Sequence, residues 1–195
     1  AVRSTPAGID IHLTEAKHAN LHPILHYPGD TQQMARLKVL REATSAARDV
    51  SPEIVQVQSH YTDSDQRVWI ANSEGLYAED RRVWSRLRTL AVASDGKENQ
   101  TGSEAPGAMQ GIELFKTVSP EAAGRHAAEI AIRMLHADVC PAGVMPVVMA
   151  GRFGGVVFHE ACGHSLEATS VSRGQSEFAG KLGQPIATER VTAID

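Results

Sequence analysis

The chain has 195 residues, 42% hydrophobic and 22% charged, with a mean hydropathy of −0.22. This length suits one domain or slightly more, and the balance excludes a disordered chain or a coiled coil. Nineteen Lys and Arg against 23 Asp and Glu give a net charge of −4, so no basic excess recommends nucleic acid as a partner, and no apolar run is long enough to span a membrane.

No secretory signal opens the chain. Its two cysteines, Cys140 and Cys162, suggest reduced thiols in a cytoplasm rather than a disulfide framework. It begins at Ala1 without a methionine and stops at Asp195 inside a strand-like run. It therefore reads as part of a longer protein.

Residues 1–30 are rich in turn formers, including Pro6, Gly8, Pro23, Pro28 and Gly29. His12, His18, His22 and His26 fall here. The pairs 18/22 and 22/26 have the helical spacing of a metal site, but Pro23 disfavours a helix through both. A solvated loop is the competing reading. Residues 31–49 read as a helix capped by Thr31, with Met34, Leu37 and Leu40 at three-residue steps and a small-residue face of Ala43, Ala46 and Ala47.

The period then changes. Ile54–Gln58 alternates as a half-buried strand, and a second strand covers Arg67–Ala71. Asn72–Gly75 has turn chemistry. A third strand runs from Arg81 to Ser94, with Val83, Leu87 and Ala91 on one face and Trp84, Arg86 and Arg88 on the other. The short connections imply antiparallel pairing. Residues 95–111 read as a long polar loop, followed by an apolar run, Ile112–Val118. Ser119–Pro120–Glu121 starts a helix with a capping serine, a proline at the first position and an acid near the positive end. That helix is expected to reach Ala137 and to bury Ala123, Ala127, Ile130, Ala131 and Met134. His126 and His136 read as partly exposed helix residues. Val144–Ala150 reads as a buried strand.

The segment Gly151–Thr169 carries the chemistry. It contains His159–Glu160–x–x–x–His164. Two imidazoles with a carboxylate beside the first are the grammar of a zinc hydrolase: the imidazoles bind the metal, the metal lowers the pKa of a water, and the carboxylate handles its proton. The spacing is i,i+5, about 140° around an ideal α-helix, where the familiar i,i+4 arrangement gives about 40°. One ion takes both histidines only from a distorted helix. A π-bulge is expected, eased by Gly163, in a helix starting near Gly154–Gly155. With this composition HExxxH arises by chance in roughly three chains per hundred. A helix whose histidines only pack or hydrogen-bond is therefore the alternative. Cys162, between the histidines, reads as a small buried residue. Glu167 reads either as a partner orienting a ligand imidazole or as a surface carboxylate.

GGVVFHEACGHSLEAT resembles the zinc-site segment of the TldD/PmbA family of metalloproteases. NSEG at 72–75, the strand starting at Asp80, PAGVMPVVMAG and FAGKLGQPIA at 178–187 extend the resemblance from about residue 50 to the end. The resemblance implies an α+β fold, a mainly antiparallel sheet with packed helices. Residues 1–195 would form an N-terminal domain that includes the zinc-motif helix, with the C-terminal domain outside this chain. It implies a cytoplasmic zinc-dependent metallopeptidase acting on unfolded or extended peptides, with leader removal or peptide maturation as its use. His159 and His164 carry over as Zn2+ ligands and Glu160 as the catalytic base. The family's third ligand, a Cys, lies outside this chain, so these residues alone are expected to be inactive. A PmbA-type partner subunit or self-association is implied. A non-catalytic interaction subunit of such a complex is the alternative, against which the intact His159/Glu160/His164 set argues.

Overall fold

The computed structural model describes residues 11–16 and 21–191. His18 and the strand-like end of the chain lie outside the described residues. The chain divides into two compact units, one ending at Val139 and one starting at Cys140.

The first unit is built on a hairpin of two long strands, β2 (Ile54–Ala71) and β3 (Leu76–Ser94), paired antiparallel over almost their whole length. The turn is Asn72–Gly75. The Asn72 side chain accepts from the amides of Glu74 and Leu76, both at 3.1 Å. Gly75 takes φ +92°, a conformation that costs a residue without Cβ little. β1 (Thr14–Ala16) pairs with β3 in parallel, while β4 (Asn99–Glu104) and β5 (Gly107–Ala108) pair with it antiparallel. β2 pairs with β3 alone among the described residues.

The two short strands expected at Ile54–Gln58 and Arg67–Ala71 are thus one strand. The stretch between them has no apolar alternation, because hydroxyls and charges satisfy its inward positions. Ser59 accepts from Thr44 at 2.8 Å and lies 3.3 Å from Thr89, Tyr61 donates to Ser85 at 3.3 Å, and Asp63 receives Arg36 at 3.0 Å. The expected loop at 95–111 contains β4 and β5, and the run from Ile112 forms a short 3-10 turn, Ile112–Lys116.

Two helices cover one face of this sheet, α1 (Gln33–Arg48) and α2 (Pro120–Leu135). α1 is entered through Gln32 rather than Thr31, whose hydroxyl instead donates to the Tyr27 carbonyl at 2.9 Å. It buries Val39, Ala43 and Ala47, one stripe at four-residue steps, and leaves Met34 exposed. α2 starts as expected, Ser119 accepting from the Ala122 amide at 3.0 Å. It buries Ala123, Ala127, Ala128 and Ala131, while Met134 is exposed. Leu87 packs with Val39, Ala43 and Ala123, and Ala91 and Ala93 pack with Ala47, Ala127 and Ala131. The core is rich in alanine, so backbones approach closely. A Cβ at Gly124 would strike the Ala43 carbonyl, and one at Gly102 of β4 would strike the Ala127 carbonyl.

The segment 24–31 is strapped to this body. Glu113 is buried and accepts from the amides of Leu25 (2.9 Å), Gly111 (3.0 Å) and His26 (3.2 Å). Arg36 donates to the Pro28 carbonyl at 2.6 Å, and the Arg81 guanidinium, bonded to Asp65, lies 3.5 Å from the Tyr27 ring centroid.

In the second unit, Val144–Ala150 does not form the expected buried strand. Pro146 has no amide for a ladder. No described strand pairs with the segment, and Val144 and Val148 are fully exposed. Helix α3 (Gly151–Phe158) follows, starting earlier than expected, and continues through a π-turn into α4 (His164–Leu166). α5 (Ala168–Ser172) completes the unit's helices. No helix among the described residues is long and apolar enough to cross a membrane.

Candidate metal centre

The expected bulge is present and coincides with the motif. Residues His159–Gly163 form the π-turn, in which the His164 amide donates to the His159 carbonyl, five residues back. The backbone stays right-handed helical throughout: His159 has φ −57°, ψ −49° and His164 has φ −60°, ψ −34°. The added residue in the turn reduces the angle between the two histidines. Their ring centroids lie 4.2 Å apart, edge to face.

Gly163 has ordinary helical angles, φ −60° and ψ −48°. Its contribution is therefore space rather than backbone freedom. A Cβ there would lie 3.1 Å from His159 Nδ1, tighter than ordinary contact, so its absence makes room for that imidazole.

Glu160 Oε2 lies 3.8 Å from His164 Nε2. One ligand atom from each of His159, Glu160 and His164 falls within 4.8 Å of the others, and all three side chains are exposed. Two imidazoles and a carboxylate are donor types that zinc and related ions take. Donor chemistry and convergence together fit one metal ion.

Glu167 lies on the other side of His164. Its Oε1 is 2.9 Å from His164 Nδ1. The hydrogen bond to Glu167 raises the His164 imidazole above its ordinary 6.5, and the charges of Glu167 and Glu160 add to the effect. With Nδ1 held by Glu167, Nε2 is the nitrogen directed to the Glu160 side. Cys162 is half-buried and free.

The other histidines have different surroundings. His12, His22 and His26 join no group of three metal-ligating side chains among the described residues. His126 and His136 pair with Glu104 at 2.5 Å and Glu53 at 3.0 Å. Glu113, the buried carboxylate that holds the 24–31 segment, gave no signal in the sequence, because its three amide partners lie in a turn and a distant segment.

Two histidines and a glutamate that converge within one helical turn are a donor set of the kind metallopeptidases use. Residues 27–135 match the family model for the PmbA/TldA metallopeptidase central domain, and residues 142–195 match the model for the C-terminal domain. The chain belongs to the PmbA/TldD metallopeptidase family. The single amino-terminal domain expected from the sequence and these two matches divide the chain differently.

A metalloprotease of Methanothermobacter thermautotrophicus is 34% identical over 86% of this chain and 37% of its own length. A metalloprotease TldD homolog of Haemophilus influenzae is 26% identical over 98% of this chain and 40% of its own. The chain thus spans about two fifths of the relatives it matches. A solved structure from Thermotoga maritima, described as a modulator of a DNA gyrase, shares the fold. Its TM-score is 0.71 at 22% identity, over 90% of this chain and 40% of that one.

Proposed function

We propose that this chain carries the zinc site of a peptidase that hydrolyses peptide bonds in unfolded or extended polypeptides, with leader removal or peptide maturation as its use. The observation that carries this reading is the π-turn His159–Gly163, which gathers His159, Glu160 and His164 around one point. His159 and His164 are the metal ligands and Glu160 is the base. Bound zinc supplies a Lewis acid for the scissile carbonyl and lowers the pKa of a water. Glu160 takes the proton of the attacking water on its carboxylate and passes it to the leaving amine. Glu167 keeps the His164 proton on Nδ1 and so leaves Nε2 as the ligand nitrogen.

A catalytic zinc has three protein ligands. The third is a Cys beyond these 195 residues, so the activity belongs to the complete protein, in a cytoplasm and with a PmbA-type subunit. The eighteen-residue strand β2, paired on one side only among the described residues, offers an extended substrate backbone hydrogen bonds that do not themselves read side chains.

The test compares the complete protein, with its partner, against its Glu160→Gln variant on an unstructured peptide. Zinc content is measured in both. Loss of cleavage by about 10²- to 10⁴-fold with zinc retained supports Glu160 as the base. No cleavage by either protein across varied peptides, with zinc bound, overturns the peptidase reading.

A further inference from the structure

The sheet of the first unit has a second face that neither α1 nor α2 covers. Val83, Ser85, Leu87, Thr89 and Ala91 of β3 point inward and are buried. Side chains alternate along a strand, so Arg82, Trp84, Arg86 and Arg88 point the other way, and all four are exposed. Opposite them in register stand Gln66, Ser64, Thr62 and His60 of β2. The even-numbered positions 56–66 and 82–92, which make up this face, hold three arginines and a histidine and no carboxylate. Asp80 engages Arg82 at 2.7 Å. Among the described residues, Arg86 donates to the Ala105 carbonyl alone, at 3.4 Å. Among the described residues, no carboxylate pairs with Arg86 or Arg88.

The face is grooved. A hollow of about 570 Å³ is bounded by Ser64, Gln66, Trp84, Arg86 and Met109. Another of about 470 Å³ is bounded by His60, Thr62, Trp84, Arg86 and Arg88. Trp84 and Arg86 belong to both, so they form the ridge between two adjacent hollows.

We propose that this face is a docking site for an extended polypeptide that carries carboxylate side chains. Two unpaired guanidinium groups beside a histidine, with no negative charge among them, complement carboxylates, which arginine binds by paired hydrogen bonds. Arg86 and Arg88 stand two residues apart on a strand. The same repeat, about 6.6 Å, separates same-side side chains of an extended peptide. The indole of Trp84, the next side chain on this face beyond Arg86, gives that peptide an apolar contact beside the charged positions. The net charge of −4 disfavours a long polyanion such as nucleic acid, whose affinity comes from an extended basic surface. The occupant's role as substrate rests on the peptidase reading. The docking itself is measured apart from turnover.

The experiment uses the complete protein carrying Glu160→Gln, so that bound peptide is not consumed. The probes are a dye-labelled peptide of alternating Glu and Ser, the same peptide with Gln for Glu, and an oligothymidylate, each followed by fluorescence anisotropy. The expected result is at least about tenfold tighter binding of the Glu peptide than of its Gln counterpart, a preference that fades with added salt. R86E/R88E abolishes that preference. R86Q/R88Q, the neutral pair, reduces it and guards against a folding defect from reversed charge, with thermal unfolding compared for both.

Equal binding of the two peptides, or a preference undiminished by R86Q/R88Q in folded protein, overturns the proposal. Tighter binding of oligothymidylate than of the Glu peptide overturns the choice of occupant. Cleavage of peptides by the unsubstituted protein without any acidic preference in binding removes the docking site and leaves the peptidase reading standing. Acidic preference without cleavage does the reverse.

Discussion

In the first unit, Val83, Leu87, Ala91 and Ala127 are at most 1% exposed. In the second, Val144, Val148 and Leu182 are fully exposed, and Ser176 is the one buried residue among those described. The first unit holds its shape through contacts between distant segments: α1 on β3, α2 on β4, and Glu113 on the 24–31 strap. The second unit gathers its three potential metal-binding side chains within six consecutive residues through local helical hydrogen bonds. A metal-type constellation can thus be written into one turn of helix with little buried core around it, whereas the sheet unit depends on close packing throughout.

Three substitutions test this contrast. The largest effect is expected in the first unit from Gly124→Val. Its side chain would occupy the space of the Ala43 carbonyl, and overpacking of this kind costs about 3 kcal/mol or more. Urea or thermal denaturation would show it. Unchanged stability would mean that α1 and α2 are not in the close contact described.

A smaller effect is expected from Glu113→Gln. Burial acts to raise the Glu113 pKa, but the amides of Leu25, Gly111 and His26 outweigh it and hold the group below its ordinary 4.5. A lowered folded pKa contributes stability that is present above pH 4.5 and lost as the pH falls through the folded value. The variant should lose about 1–3 kcal/mol near neutral pH, since its amide nitrogen cannot accept. Its stability should also fall less steeply than the parent's below pH 4.5. Parallel pH–stability curves for the two proteins would contradict the role given to this carboxylate.

The smallest effect on stability, and the sharpest on the site, belongs to Gly163→Ala. The added methyl presses on the His159 ring at 3.1 Å. Zinc affinity in the complete protein should fall about tenfold, a typical cost of disturbing a ligand's surroundings, while denaturation of the first unit is unaffected. Unaltered affinity would show that the His159 ring does not need the space Gly163 leaves.

The motif was readable because its geometry is local. The i,i+5 spacing of His159 and His164 is incompatible with one ion on a regular helix, which points directly to the added residue in the turn. The start of α2 was readable for the same reason: Ser119, Pro120 and Glu121 each act on the first turn itself. The buried face of β3 announced itself through the alternation of Val83, Leu87 and Ala91. The middle of β2 did not, because Ser59, Tyr61 and Asp63 face inward as hydrogen-bonding groups whose partners lie on α1 and β3. β4 was hidden because Asn99–Glu104 carries no apolar alternation, and Gly102 has meaning only against the Ala127 carbonyl. Val144–Ala150 misled in the opposite direction, having strand composition but no described neighbour to pair with.

By itself, then, the sequence determined those features whose cause lies within a few residues: the π-turn that gathers His159, Glu160 and His164, the capped start of α2 and the two-sided character of β3. Only the tertiary structure decided the length of the hairpin, the strands inside the polar 95–111 stretch, the anchoring of segment 24–31 by Glu113 and the open basic face around Trp84. The physical reason is range. Helical hydrogen bonds and caps act between near neighbours, whereas strand pairing, close backbone packing and the neutralisation of a charge depend on which distant residue stands opposite.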